Sequence, residues 1–163
     1  MEKKIIEKFG NRLRVRVCGI LVEHDRILLV KHRAIGKNGV LWAPPGGGMN
    51  FGENTETNLI REFKEETGLT VKVEQFLFTH EFLRPPLHAI ELFFKVRRIN
   101  GILKIGSDPE MNKDEQIIEQ VSFLDIDQLK KIQHDSLHNL LRKVHKLEDL
   151  LNLEGLVKFE DFT

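Results

Sequence analysis

Three glutamates in one short segment, Glu62, Glu65 and Glu66, have the spacing of one helix face. At about 100° per residue, with Glu62 at zero, Glu66 falls near 40° and Glu65 near 300°, so the carboxylates share an arc of about 100°. Leu59, Phe63 and Ile60 fall at about 60°, 100° and 160°, beside that arc. A helix packed by its apolar side would project the three acids along the edge of the packed face. Like charges at this spacing cost roughly 0.2–0.5 kcal/mol per pair on an exposed helix. Glu65 and Glu66 also sit near the negative end of the helix dipole. An oxygen-preferring divalent cation would remove both penalties, and the ligand type suits Mg²⁺ or Mn²⁺ rather than zinc. The competing reading is a solvated acidic helix face, partly compensated by Arg61 and Lys64, since glutamate is a common surface helix former.

The residues just upstream bear on that choice. Pro44-Pro45-Gly46-Gly47-Gly48 reads as a loop with unusual backbone angles, because neither a helix nor a regular strand accommodates such a run. Glycines let a backbone approach a ligand closely. Glycines placed immediately before a carboxylate-bearing helix read as one site built from two parts.

The surrounding elements follow from pattern. Arg14 to Val22 and Ile27 to Val30, joined by Glu23-His24-Asp25-Arg26, read as an antiparallel hairpin. Asn54 to Thr67 reads as a helix, with Asn54 or Thr55 as its cap and Gly68 just past its end. Val71 to Phe78 and His88 to Arg97 read as strands around Leu83-Arg84-Pro85-Pro86-Leu87, and Val121 to Leu124 as a short strand. Residues 125–132 and 135–151 read as helices; in the second, Leu137, Leu140, Leu141, Val144 and Leu147 form an apolar stripe. A stripe packed on the domain's own sheet is favoured over a partner surface. Residues 106–115 read as an acidic loop. The order of elements predicts an α/β fold, a mixed sheet with helices packed on it.

The run Gly47, five residues, Glu53, seven residues, then Arg61-Glu62-Phe63-Lys64-Glu65-Glu66-Thr67-Gly68-Leu69 resembles the Nudix box at every specified position. Chance would produce such a match at a given start on the order of once in a billion. Leu41-Trp42-Ala43-Pro44-Pro45 looks like the usual entry to the box, and the strand order extends the resemblance to most of residues 10–150. The resemblance implies a Nudix-type α/β/α sandwich and a divalent-metal-dependent hydrolase of nucleoside diphosphates linked to another moiety. It further implies that Glu62, Glu65 and Glu66 bind the metal, with the Gly47 carbonyl as an added ligand. By the same pattern Arg61 orients the carboxylates, Glu53 supports it, and Phe63 and Leu69 pack. The chemistry is coherent: Mg²⁺ neutralises phosphate oxygens and activates a water, and a carboxylate takes its proton. Glu65 is one candidate base. Family members also use an acid in a loop outside the box; Glu115 is the nearest match here and Glu119 the second, against the plain reading of solvated loop charges.

Substrate choice lies outside the box. Pro85 stands sixteen residues beyond Leu69, the position where ADP-ribose-hydrolysing members carry a proline, although paired prolines also simply make turns. The chain contains no tyrosine, which weighs against the diadenosine polyphosphate group. Phe82, with Phe78, Phe93 and Trp42, could stack on a base, and core packing is the ordinary role of such residues. Arg84, within the polar group His80, Glu81, Arg84 and His88, and Gly48 complete the expected substrate contacts. The preferred substrate is ADP-ribose or a similar conjugate. The alternatives are a nucleoside triphosphate pyrophosphatase that sanitises the nucleotide pool, and a Nudix-fold module that senses a nucleotide without turning it over. The intact carboxylate cluster favours catalysis.

Composition bounds the rest. The 163 residues, 40% hydrophobic, read as one domain over 1–163. Lys+Arg 25 balances Asp+Glu 25, which argues against stable nucleic-acid binding by phosphate neutralisation. The basic residues Arg142, Lys143 and Lys146 read as a solvated face. The single cysteine, Cys18, excludes an internal disulfide framework and reads as a small buried hydrophobe. No apolar run reaches membrane-spanning length, and the charged start does not resemble a signal peptide. The expectation is a cytoplasmic protein with a small nucleotide substrate; a homodimer is compatible with it.

Overall fold

The computed structural model describes residues 6–7, 9–36, 38–107 and 116–158. Nine strands and three short to medium helices are named within them: β1 (Arg12–Ile20), β2 (Val22–Glu23), β3 (Arg26–Arg33), β4 (Val40–Ala43), β5 (Gly46–Gly48), α1 (Thr55–Thr67), β6 (Leu69–Arg84), β7 (Leu87–Gly101), β8 (Ile118–Leu124), α2 (Ile126–Lys130), α3 (Leu147–Leu151) and β9 (Gly155–Val157). One sheet has the order β5-β1-β7-β6-β9. It is mixed: β1 runs parallel to β7, while β5 is antiparallel to β1 and β6 antiparallel to β7. In the other sheet β3 is flanked by β4 and β8, both antiparallel to it, with β2 paired at its start.

Side-chain alternation along the strands builds three layers. Val17, Leu21, Leu28 and Val30 meet Leu59 and Phe63 of α1. Their neighbours Cys18, Ile20, Ile27 and Leu29 point the other way, into a core with Phe78, Phe93, Leu129, Leu137, Leu140, Leu147 and Leu150. Helix α1 therefore covers one face of the sheets and the C-terminal segment covers the other, which is an α/β/α sandwich. Phe63 is fully buried; burying a side chain of that size contributes about 1.5–3 kcal/mol.

Helix α1 starts and stops where the sequence indicates. The Asn54 side chain accepts from the Thr57 N–H, and Gly68, at φ 74°, ends the helix by donating to the Lys64 carbonyl. Left-handed backbone at that position favours glycine.

Three expectations are corrected. The hairpin between the first two strands shrinks to Val22–Glu23 against Arg26–Ile27, because β1 pairs with β7 over its whole length, Arg12 to Ile20. Its continuous apolar run belongs to a strand buried on both faces. The glycine run is a strand, not a loop: Val17 pairs with Gly47 and Cys18 with Gly46. A Cβ at Gly46, whose φ is +151°, would overlap the Val17 carbonyl, and one at Gly47 would collide with the Glu62 carboxylate. The β1 backbone leaves no room for a Cβ at Gly46, and a Cβ at Gly47 would take the place the Glu62 carboxylate now fills.

The single helix expected over 135–151 is instead two 3₁₀ turns, His134–Ser136 and Asn139–Leu141, followed by α3. Leu137 is extended and His138 is non-helical; Leu137 bridges to Trp42, and the His138 N–H donates to the Trp42 carbonyl. Satisfying the edge of β4 competes with helix formation and wins. The apolar stripe still packs on the protein's own sheet, with Leu137, Leu140, Leu141 and Leu147 buried.

Candidate active site

Helix α1 presents Arg61, Glu62, Glu65 and Glu66 to a cleft of about 190 Å³, also lined by Gly46, Gly47 and Gly48 of β5 and by Phe82 of β6. The box residues that the sequence grouped thus meet at one wall. Arg61 ties that wall together. Its Nε lies 3.3 Å from Glu53 Oε2, its Nη1 donates at 3.0 Å to both Glu62 Oε1 and Glu65 Oε2, and its Nη2 donates to Asn58 Oδ1 at 2.9 Å. Asn58 in turn donates to the Gly48 carbonyl at 3.2 Å and accepts from the Asn50 N–H at 3.0 Å. Glu66 takes a different partner: its Oε2 accepts from the Gly46 N–H at 2.9 Å, and His32 Nε2 lies 3.6 Å from its Oε1.

Negative charge is in excess here. Burial, then the charge of Glu66, pushes the Glu62 carboxyl up from 4.5 to about 7, with Arg61 pulling against them. A Glu62 carboxyl held up in this way in the bare protein would be relieved by a divalent cation. The donors are hard oxygens, and the Glu62 carboxylate fills the space that a Cβ at Gly47 would take. This donor set fits Mg²⁺ or Mn²⁺.

The remaining expected residues divide. Gly48 and Phe82 line the cleft. Phe78, Phe93 and Trp42 are core residues, the first two stacked with ring centroids 4.7 Å apart, and of the three Phe93 also lines the cleft. Arg84 is exposed near the tip of the β6–β7 hairpin and does not line the cleft; Pro85 and Pro86 border a shallow groove that meets the cleft at Leu87 and His88. The polar group around them separates: His80 turns inward, while Glu81 pairs with His88 at 3.0 Å across the hairpin. Glu119 pairs with Lys31 at 2.6 Å, away from the cleft. Glu115 lies outside the described residues; Ser107, where the preceding stretch ends, lines the cleft.

Apart from Phe93, sequence reasoning missed the opposite side of the cleft. Arg14, Arg16 and Cys18 alternate along β1 and Ala89, Glu91 and Phe93 along β7, all lining it with His138. Glu91 is buried, and its Oε2 accepts from His80 Nδ1 and His138 Nε2, each at 2.9 Å. Arg16 Nε lies 3.5 Å from Glu91 Oε1. Burial acts to raise the Glu91 carboxyl, but His138, His80 and Arg16 together hold it well below the usual carboxylate range. His80, Glu91 and His138 offer ligand atoms within 4.8 Å of one another. Yet His138 Nδ1 accepts from the Leu140 N–H, which places the ring proton on Nε2, aimed at Glu91. With a guanidinium also beside that carboxylate, the trio is a charge network already satisfied without an ion. One signal was available: Glu91 is an acid inside the apolar run Ala89 to Phe94, and a charge in such a strand is seldom accidental.

A family profile described as NUDIX domain matches residues 10–146. The chain belongs to the Nudix family. An "ADP-ribose pyrophosphatase" from Methanocaldococcus jannaschii is 32% identical over 139 residues, 83% of this chain and 76% of that protein. Among solved structures, an ADP-ribose pyrophosphatase from Streptococcus suis matches with a TM-score of 0.59 at 19% identity, covering 88% of this chain and 98% of the other. A MutT protein from Methanosarcina mazei matches with a TM-score of 0.65 at 18% identity, covering 86% and 94%. These structural matches bear out the mixed α/β Nudix fold. The protein is a Nudix hydrolase, of a family that uses divalent metals.

Proposed function

We propose that this Nudix hydrolase cleaves the phosphoanhydride bond of ADP-ribose, or of a closely similar nucleoside diphosphate conjugate, using Mg²⁺ or Mn²⁺ held by Glu62, Glu65 and Glu66. The observation that carries the reading is the continuity of the cleft. The carboxylate wall and Phe82, Leu87 and Ala89 line one cleft, so a charged pyrophosphate and an attached organic group can be held together. The relative named for ADP-ribose supports the same substrate. Pro85 does not carry the assignment, because it lies outside the cleft.

When bound, the metal would neutralise phosphate charge and lower the pKa of a water. The chain's own residues supply the rest. Arg61 fixes the Glu62 and Glu65 carboxylates against each other by charge-assisted hydrogen bonds. The Gly46 N–H fixes Glu66. Glu65 is the candidate to take the proton of the attacking water, and Phe82 would pack on the organic part of the substrate.

A direct competition tests the substrate. ADP-ribose and a panel of ordinary and oxidised nucleoside triphosphates are offered at equal concentration with Mg²⁺, and products are identified by mass. We expect AMP and ribose 5-phosphate, with ADP-ribose showing the highest kcat/KM. A higher kcat/KM for any triphosphate would replace this assignment with the pool-sanitising one.

A further inference from the structure

Glu91 stands on β7 and is buried, and burying a carboxylate is costly unless it is paired. Its two oxygens are divided. Oε2 serves both imidazoles, His80 and His138, and Oε1 faces Arg16 Nε. Arg16 Nε is buried with no hydrogen-bond partner, and at 3.5 Å its link to Glu91 is a charge contact rather than a hydrogen bond. The same guanidinium donates from Nη2 to the Gly46 carbonyl at 3.3 Å. The Gly46 N–H donates to Glu66. Gly46 is therefore gripped at both polar atoms, by Arg16 on one side and a box carboxylate on the other. The next residue, Gly47, lies against the Glu62 carboxylate.

We propose that Glu91 and Arg16 are positioning residues for the metal site: His80 and His138 fix Glu91, Glu91 fixes Arg16, and Arg16 holds the glycine strand that sets Glu66 and Glu62. The inference rests on the metal reading above. It gives the buried charge network a purpose, and it makes the C-terminal segment, which supplies His138, part of the active site's support. Groups that orient metal ligands commonly matter almost as much as the ligands themselves.

The chemistry of the network names its own probes. Glu91→Gln keeps the shape but has a single acceptor oxygen. Its NH₂ must face either two imidazole donors or a guanidinium, so the link to Arg16 or the link to the histidines is lost. Arg16→Lys keeps the charge but loses the planar fork that reaches both Glu91 and Gly46. Glu74→Gln, at a β6 residue paired with Lys95 and Arg97 of β7, is the control. Mn²⁺ binding is measured on the full-length wild type and each variant by the electron paramagnetic resonance of free Mn²⁺, with near-ultraviolet circular dichroism to confirm the fold. Expected is a Kd for Mn²⁺ raised at least about tenfold in both network variants and unchanged in the control. In variants whose near-ultraviolet spectrum already matches wild type before metal is added, hydrolysis lost at low Mg²⁺ should return as Mg²⁺ is raised. Either folded variant binding Mn²⁺ within about twofold of wild type would overturn the proposal; should Glu91→Gln fail to fold, Arg16→Lys decides. A wild type that does not bind Mn²⁺ would instead remove the metal reading, and this inference with it.

Discussion

At the scale of single residues, the α1 carboxylates differ in what holds them, and the differences set what their variants do. Glu66 is buried and accepts from the Gly46 N–H. Glu66→Gln retains an acceptor for that bond while removing charge. We expect hydrolysis to fall at least about 100-fold, the scale of a lost catalytic group, with the melting temperature unchanged or higher because like-charge repulsion is relieved. Retained activity would deny the carboxylate its role. Glu62 adds a pH signature. Its folded-state pKa is raised to about 7 from 4.5, so between those values the folded protein binds a proton that the unfolded chain releases. Metal-free stability due to this group is then lost as pH rises from about 4.5 through 7. Glu62→Gln should stabilise the metal-free protein above pH 7, on the order of 2 kcal/mol, and the gain should vanish below pH 5. Thermal melts in a chelator across that range read it; a gain independent of pH would mean the carboxylate is not strained by its surroundings.

At the scale of elements, α1 and β5 form the site together. Gly47→Ala should displace the Glu62 carboxylate, because the added Cβ would collide with it. The expected result is an activity loss of at least about tenfold with the sheets intact by circular dichroism, and an unimpaired Gly47→Ala enzyme would show that the strand and helix are not so closely fitted. Helix α1 was legible in the sequence because its information is local: a cap at Asn54, a stop at Gly68 and an apolar face at helical spacing. The glycine strand was not, since no side chain marks its pairing and its partner β1 lies thirty residues away. The segment 135–151 misled for the opposite reason. Its stripe fits a helix, but the demand of the Trp42 carbonyl for a donor is invisible locally.

At the scale of the molecule, the cleft joins two kinds of information. One wall, Arg61 to Glu66 with the glycines, is contiguous enough to read directly. The other is assembled from Arg16, Glu91 and His138, and the 47-residue separation of Glu91 and His138 hides their contact from any local pattern. Arg84 shows the converse error: it is near the expected segment in sequence, but strand alternation and the hairpin tip carry it out of the cleft. Both walls bear on one claim, that the carboxylate wall works by holding a divalent cation against a phosphoanhydride. The most direct measurement follows ADP-ribose hydrolysis in protein stripped of metal, kept in EDTA, and then given Mg²⁺ or Mn²⁺ in excess of the chelator. The account predicts no turnover in EDTA and full recovery on adding the cation. Undiminished turnover in the chelated sample would contradict it.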